Sequence, residues 1–181
     1  LPAGAVRRLF INFRNATVEL THSLRFFTSY LRNPATVGAV APSSRALAAA
    51  LCEPLRHGRR PAKVLEVGAG TGAVTRRIGR LLGKEDCLDV CEIEPRFADL
   101  LARNVLTLPD FAPGVAQGRV RLIRGAVQDV IGENEYDYVI SGLPFTAFQL
   151  ADVETILATI RRCLKPGGVF SYFEYIGLRR I

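Results

Sequence analysis

The residues best placed to do chemistry surround one glycine-rich loop. Lys63-Val-Leu-Glu-Val67 is a short β-rich run, and Gly68-Ala69-Gly70-Thr71-Gly72 follows it directly. The loop satisfies both GxGxG and GxGxxA, so taken alone it leaves a dinucleotide open. Two acids argue for something else. Glu66 stands on the strand just before the loop, where its charge would oppose a bound pyrophosphate and would suit an ammonium group. Glu92 ends the next β-rich run, about 20 residues past the loop, and its two oxygens can take both hydroxyls of a ribose. A ligand with a ribose, an ammonium and no phosphate is S-adenosylmethionine.

Other reactive side chains carry less. Cys52, Cys87, Cys91 and Cys163 form no CxxC pair. They fall in expected helices and strands and read as buried reduced thiols of a cytoplasmic protein. No metal is expected. His22 and His57 read as surface residues.

Elements able to position Glu66 and Glu92 follow from the hydrophobic pattern. Strands are expected at 63–67, 87–94, 120–125, 136–141 and 169–175. Helices are expected at 73–82, 95–106 and 150–164, with a turn at Lys165-Pro-Gly-Gly168. Strands alternating with helices give an α/β fold, a doubly wound and mostly parallel sheet of about five strands. Its ligand belongs at the carboxyl ends of the strands, beside the first one.

The 181 residues are 49% hydrophobic and 23% charged, which suits a folded domain, and no apolar run is long enough to span a membrane. The sequence begins with Leu and holds no Met, so the chain reads as lacking its natural N-terminus. Net charge is +7. Residues 1–60 hold nine Arg against Glu19 and Glu53, whereas residues 61–181 are balanced. We therefore divide the chain into a basic N-terminal segment, 1–60, and a cofactor-binding core, 61–181. On a helix over residues 6–31, Phe13, Leu20, Leu24 and Phe27 fall in one stripe. Arg7, Arg14, Arg25 and Arg32 line up opposite. Such a helix suits an anionic membrane surface, and Pro34 would end it. The turn Pro42-Ser-Ser44 would start the next helix, with Ser43 or Ser44 as its cap.

Four blocks, "VLEVGAGTG", "VCEIEP", "YDYVISGLP" and "LKPGGVF", resemble class I S-adenosylmethionine-dependent methyltransferases in content and order. The resemblance implies a Rossmann-like core. Glu66, Gly68, Ala69, Gly70, Thr71, Gly72 and Ser141 would hold the cofactor, and Glu92 would take the ribose. Ile93 would pack on the adenine. Ala126 and Val127 would edge the ring through their backbone, with Asp129 a further candidate. It also implies a last helix and antiparallel sixth and seventh strands. Residues after the fifth expected strand are too few for these, leaving that strand as an exposed edge.

A narrower resemblance joins "FFTSYLRNPATVGAVAPSSRALAAAL" and "SGLPF" to bacterial phospholipid N-methyltransferases. That family methylates the headgroup amine of phosphatidylethanolamine toward phosphatidylcholine, with S-adenosylhomocysteine as the other product. By resemblance, Gly142 and Leu143 would aim backbone carbonyls at the amine, and Phe145 would face the methylated cation. Gly142 would leave room for a compact headgroup. Tyr30, Tyr175 and Glu174 are candidate proton acceptors. The expected protein is a monomer, cytoplasmic and peripheral to the inner face of the cell membrane. An RNA adenine N6-methyltransferase is the alternative. Its motif carries a polar acceptor where Gly142 stands, so nucleic acid is the weaker partner. A soluble small-molecule methyltransferase would leave the Arg row unexplained, and a non-catalytic cofactor-binding module would not need so complete a loop.

Overall fold

The computed structural model describes residues 6–12, 45–58, 61–145 and 148–176. Six strands form one sheet: β1 (Val6–Asn12), β2 (Lys63–Val67), β3 (Cys87–Glu92), β4 (Val120–Arg124), β5 (Tyr136–Ser141) and β6 (Leu164–Ile176). Their order is β1-β6-β5-β2-β3-β4, and every pairing is parallel. A parallel sheet needs a crossover between strands. Helix α2 (Ala73–Gly79) follows β2, α3 (Pro95–Asn104) and α4 (Ala112–Ala116) follow β3, and α5 (Leu150–Cys163) follows β5. A helical stretch at 45–51, continued by α1 (Glu53–Arg56), leads into β2.

Burial on both faces explains why β2 reads as Val-Leu-Glu-Val rather than as strict alternation. Val64 packs with Leu51, Leu55 and Ile78 on one face. Leu65 and Val67 pack with Ile156, Ile160 and Phe170 on the other. The five strands of the core segment, with their flanking helices, are the Rossmann-like arrangement expected from sequence. Helix boundaries are shorter than expected, and the turn at 165–168 is absorbed into β6, where the β5 pairing shifts register between Tyr136 and Tyr138.

One expectation fails. Residues 6–12 form a strand and do not begin a helix over 6–31. Val6–Asn12 pairs along Phe170–Ile176, with Arg7 opposite Ser171. Leu9 fits the helical stripe, with Phe10 on its flank, but Val6, Phe10 and Ile11 are also strong strand formers. An edge of β6 that offers a full row of unmade hydrogen bonds decides between the two. The same pairing corrects the exposed edge foreseen there. Arg7 therefore shares no helix line with Arg14, Arg25 and Arg32. Those three, with Phe13, Leu20, Leu24, Phe27 and Tyr30, lie outside the described residues, as do Ser43 and Ser44.

Depth along the sheet can be read from contacts. Val64 is paired with Tyr138, and a Cβ on Gly58 would meet the Tyr138 hydroxyl, so residue 58 sits low on the sheet. Cys52 feels the charge of Glu66, near the carboxyl end of β2. Asn12 ends β1 opposite Ile176, also at the carboxyl end.

Candidate functional site

The carboxyl ends of β2, β3, β4 and β5 come together on one side of the sheet. The glycine loop follows the first of them. Gly68, Gly70 and Gly72 take φ of 72°, 55° and 83°, left-handed values that are costly for a residue with a Cβ. A Cβ on Gly68 would also lie 2.4 Å from Leu143 Cδ2, so the Leu143 side chain would have to move. The loop folds over the end of β3. Gly68 N–H donates to the Cys91 carbonyl (3.0 Å), and Gly70 N–H donates to Glu92 Oε2 (2.7 Å).

Glu92 is thereby fixed. Its other oxygen accepts from Glu94 N–H at 2.8 Å, and the residue is 4% exposed. Burial raises its pKa, against the backbone N–H groups of Glu94 and Gly70, which lower it. A carboxylate has about four acceptor sites, so two backbone donors orient it and leave lone pairs for ribose hydroxyls. Ile93, beside it, is 45% exposed and offers a bare apolar wall to a ring.

Glu66 is different. It is 1% exposed, and neither carboxylate oxygen has a hydrogen-bond partner. Thr75, in the first turn of α2, faces it without closing a bond of ordinary geometry. Burial pushes the Glu66 pKa from 4.5 up to about 8. An unpartnered buried acid is expensive in any fold and is a reason to look for a missing ligand. An ammonium group would satisfy it. The donor set thus fits S-adenosylmethionine: an orphan carboxylate for the amino acid portion, an oriented carboxylate for the ribose and Ile93 for the base.

The turn after β4 is less direct. Val127–Asp129 is a single 3₁₀ turn, and Asp129 Oδ2 accepts from Ala126 N–H at 3.0 Å. Asp129 is occupied in shaping its own turn. Val127 is buried, so backbone is what Ala126 and Val127 can offer a ring.

The turn after β5 revises the sequence reading most. Gly142 N–H donates to the Val67 carbonyl at 2.8 Å. A Cβ on Gly142 would lie 2.6 Å from the Gly68 carbonyl oxygen. The missing side chain therefore lets two backbones meet, and the space it leaves is filled. It opens no pocket for a headgroup. Ser141 is fully buried, and its hydroxyl accepts from Leu143 N–H at 3.2 Å, so its side chain shapes the turn. The Leu143 carbonyl accepts from Phe145 N–H (3.1 Å). Among the described residues no donor reaches the Gly142 carbonyl. Phe145 is 8% exposed and packs edge-on against Phe148, Phe170 and Tyr172, with centroids 5.7–6.4 Å apart. That is core packing, and it corrects the assignment of Phe145 to a cation. The aromatic cluster was missed from sequence because its members lie on two separate elements, the connection after β5 and β6 itself.

β6 overruns β5. Ser171 stands opposite Ile140, so Phe173–Ile176 extend past Ser141. Glu174 and Tyr175 are on that overhang, above the turn. Cys52 and Cys91 are buried, and burial foremost pushes both thiols up to about 12, as expected of inert packing residues. Among the described residues no group of side chains could hold a metal, and no helix is long and apolar enough to cross a membrane.

Comparison with known proteins agrees with this geometry. A family described as a methyltransferase domain matches residues 64–168. An ornithine lipid N-methyltransferase from Singulisphaera acidiphila is 28% identical over 148 residues, covering 81% of this chain and 74% of the relative. Spermidine synthase 1 from Pisum sativum is 35% identical over 114 residues, but the match spans 60% of this chain and only 33% of that enzyme. Among solved structures, a 1,6-didemethyltoxoflavin-N1-methyltransferase from Burkholderia thailandensis, with S-adenosylhomocysteine bound, is 25% identical at a TM-score of 0.54. It covers 86% of this chain and 65% of its own. A Methanococcus maripaludis structure, 16% identical at a TM-score of 0.57 with 90% and 67% coverage, shares the fold.

Proposed function

Because the chain belongs to the methyltransferase domain family and takes S-adenosylmethionine as its cofactor, we propose that it N-methylates a primary amine on a membrane lipid headgroup. Phosphatidylethanolamine is the first candidate, and the amine of an ornithine lipid, suggested by the relative of that name, is the second. One observation carries the choice of a lipid. The described chain breaks off at Asn12, at the carboxyl end of β1 and so on the glycine-loop side of the sheet, and resumes at residue 45 in a helical stretch. The residues between them hold Arg14, Arg25 and Arg32 among Phe13, Leu20, Leu24, Phe27 and Tyr30. A basic, aromatic and aliphatic stretch that follows the carboxyl end of β1 in sequence suits an anionic lipid surface. That makes the enzyme peripheral to the membrane.

The cofactor supplies an electrophilic methyl group. The chain's own residues bind, orient and exclude water. Glu92, held by Gly70 and Glu94, sets the ribose. Glu66 holds the ammonium and so fixes the far end of the ligand. The Gly142 carbonyl can accept from the substrate amine and point its lone pair inward. Positioning of this kind supplies most of the rate in a direct displacement. The amine must arrive without its extra proton, because the ammonium has no lone pair. Glu174 and Tyr175, on the stretch of β6 that runs past Ser141, are the candidates for that task from the core segment, and Tyr30 is the candidate from the N-terminal stretch.

The test follows formation of S-adenosylhomocysteine over anionic vesicles that contain or lack phosphatidylethanolamine or ornithine lipid. Turnover that requires an aminolipid supports the reading. Turnover with RNA or a soluble amine and none with either lipid would overturn it.

A further inference from the structure

Glu66 has a consequence beyond holding a ligand. Its register neighbours are apolar on both sides, Val90 on β3 and Ile140 on β5. From the 45–56 helical stretch it faces the Cys52 thiol, which is buried and keeps its proton. From α2 it faces Thr75, whose hydroxyl is also buried and unpartnered. Arg77 on α2 lies near Cys52 and lowers its pKa, but no ion pair joins Arg77 to Glu66 among the described residues, and Arg77 Nε is itself buried without a partner. From β3 it meets the charge of Glu92, of the same sign. Among the described residues only Thr75 favours an ionised Glu66, and burial at 1% exposure outweighs it.

We propose that cofactor binding is linked to a proton: Glu66 is a neutral carboxylic acid in the empty chain and ionises as the ligand's ammonium group docks against it. The O–H bond of Glu66 breaks, the proton leaves to the solvent, and the carboxylate and ammonium form a charge-assisted contact that neither could form with the acid protonated. The inference rests on the assignment of Glu66 to the ammonium portion of the cofactor. Its physical basis is that an isolated buried carboxylate neutralises when unpaired and ionises when paired. The upward displacement of Glu66 to about 8 has the same sign. At pH 7 such a group holds its proton in about nine-tenths of empty molecules.

Calorimetry distinguishes the inference from the assignment beneath it. S-adenosylhomocysteine and 5′-methylthioadenosine are each titrated into the whole chain at pH 7, in buffers of different ionisation enthalpy. The first carries the ammonium; the second carries the ribose and base but no amino acid. The expected result is release of close to one proton with S-adenosylhomocysteine and none with methylthioadenosine. Affinity for S-adenosylhomocysteine should rise about tenfold from pH 6 to pH 7. The paired ligands also separate Glu66 from Glu92, because Glu92 meets the ribose of both. Glu66→Gln, isosteric and permanently neutral, should abolish the proton release while methylthioadenosine binds as before. Tight S-adenosylhomocysteine binding with no proton released overturns the linkage and leaves the cofactor assignment standing. Equal proton release with both ligands also overturns it, by moving the proton to Glu92. Failure of both ligands to bind a folded chain sinks the cofactor assignment and the linkage together.

Discussion

Replacing Gly142 with Ala asks what this glycine is for. Gly142 does not occupy the left-handed region, so backbone preference does not forbid a side chain there. Contact does. The new methyl would stand 2.6 Å from the Gly68 carbonyl oxygen, with Gly68 C at 3.7 Å and Val67 O at 3.8 Å behind it. All three are backbone atoms of the strand end and loop that carry Glu66 and Gly70, so no rotamer change relieves the clash. Ordinary van der Waals separation requires a shift of about 0.5–1 Å between the β5 turn and the glycine loop. Overpacking of this sort costs about 1–3 kcal/mol, and a misplacement of about 1 Å at a reacting centre costs on the order of 10²-fold in rate. The variant should therefore lose S-adenosylhomocysteine affinity, measured by calorimetry, by about tenfold or more, together with several degrees of thermal midpoint. If the missing side chain of Gly142 instead left room for the acceptor amine, G142A would bind S-adenosylhomocysteine normally and raise only the KM for the amine. That outcome would refute the steric account.

Further expectations can be checked alongside it. Glu92→Ala leaves Gly70 N–H and Glu94 N–H without their acceptor and should weaken S-adenosylhomocysteine binding at least tenfold; unchanged affinity would remove Glu92 from the site. For stability, Glu66 is raised when folded, from 4.5 to about 8. Its contribution is therefore fully present below pH 4.5 and lost as pH rises through 8, an effect of at most about 5 kcal/mol. Urea midpoints should fall between pH 5 and 8.5 in the native chain and stay flatter in E66Q; parallel profiles would contradict the burial argument. Asp89 is 1% exposed and accepts from Arg121 Nε and Nη2 at 2.7 Å each and from the Tyr136 hydroxyl at 2.8 Å. Asp89→Ala strands the Tyr136 hydroxyl and should cost about 2–4 kcal/mol in denaturant unfolding, more than Tyr136→Phe. Changing Arg14, Arg25 and Arg32 together to Glu should abolish sedimentation with anionic vesicles; persistent binding would remove these residues from the lipid surface.

The core was legible because its signals are local. A β-rich run, a glycine loop whose residues need unusual φ, and an acid at the end of the next strand are read within 30 residues of one another. Long-range contacts were not legible. Nothing local says that Val6–Asn12 will meet Phe170–Ile176, since a segment of Val, Leu, Phe and Ile suits either period until a free sheet edge is present. Gly142 misled for a related reason. The cause of that glycine is the Gly68 carbonyl, 74 residues earlier in the chain, so a change of substrate looked sufficient. Phe145 was drawn toward a ligand by its motif, and only the fold shows Phe148, Phe170 and Tyr172 closing around it. The orphan state of Glu66 was also invisible, although its position before the loop already suggested an ammonium partner.

The most direct test is to identify the methylated product. The chain is incubated with S-adenosylmethionine and mixed vesicles of phosphatidylethanolamine, ornithine lipid and an anionic lipid, with RNA and free ethanolamine in the same tube, and each fraction is analysed by mass spectrometry. We predict mass increments of one or more methyl groups on a lipid headgroup amine and none on RNA. Methyl groups confined to RNA or to the soluble amine would contradict the account.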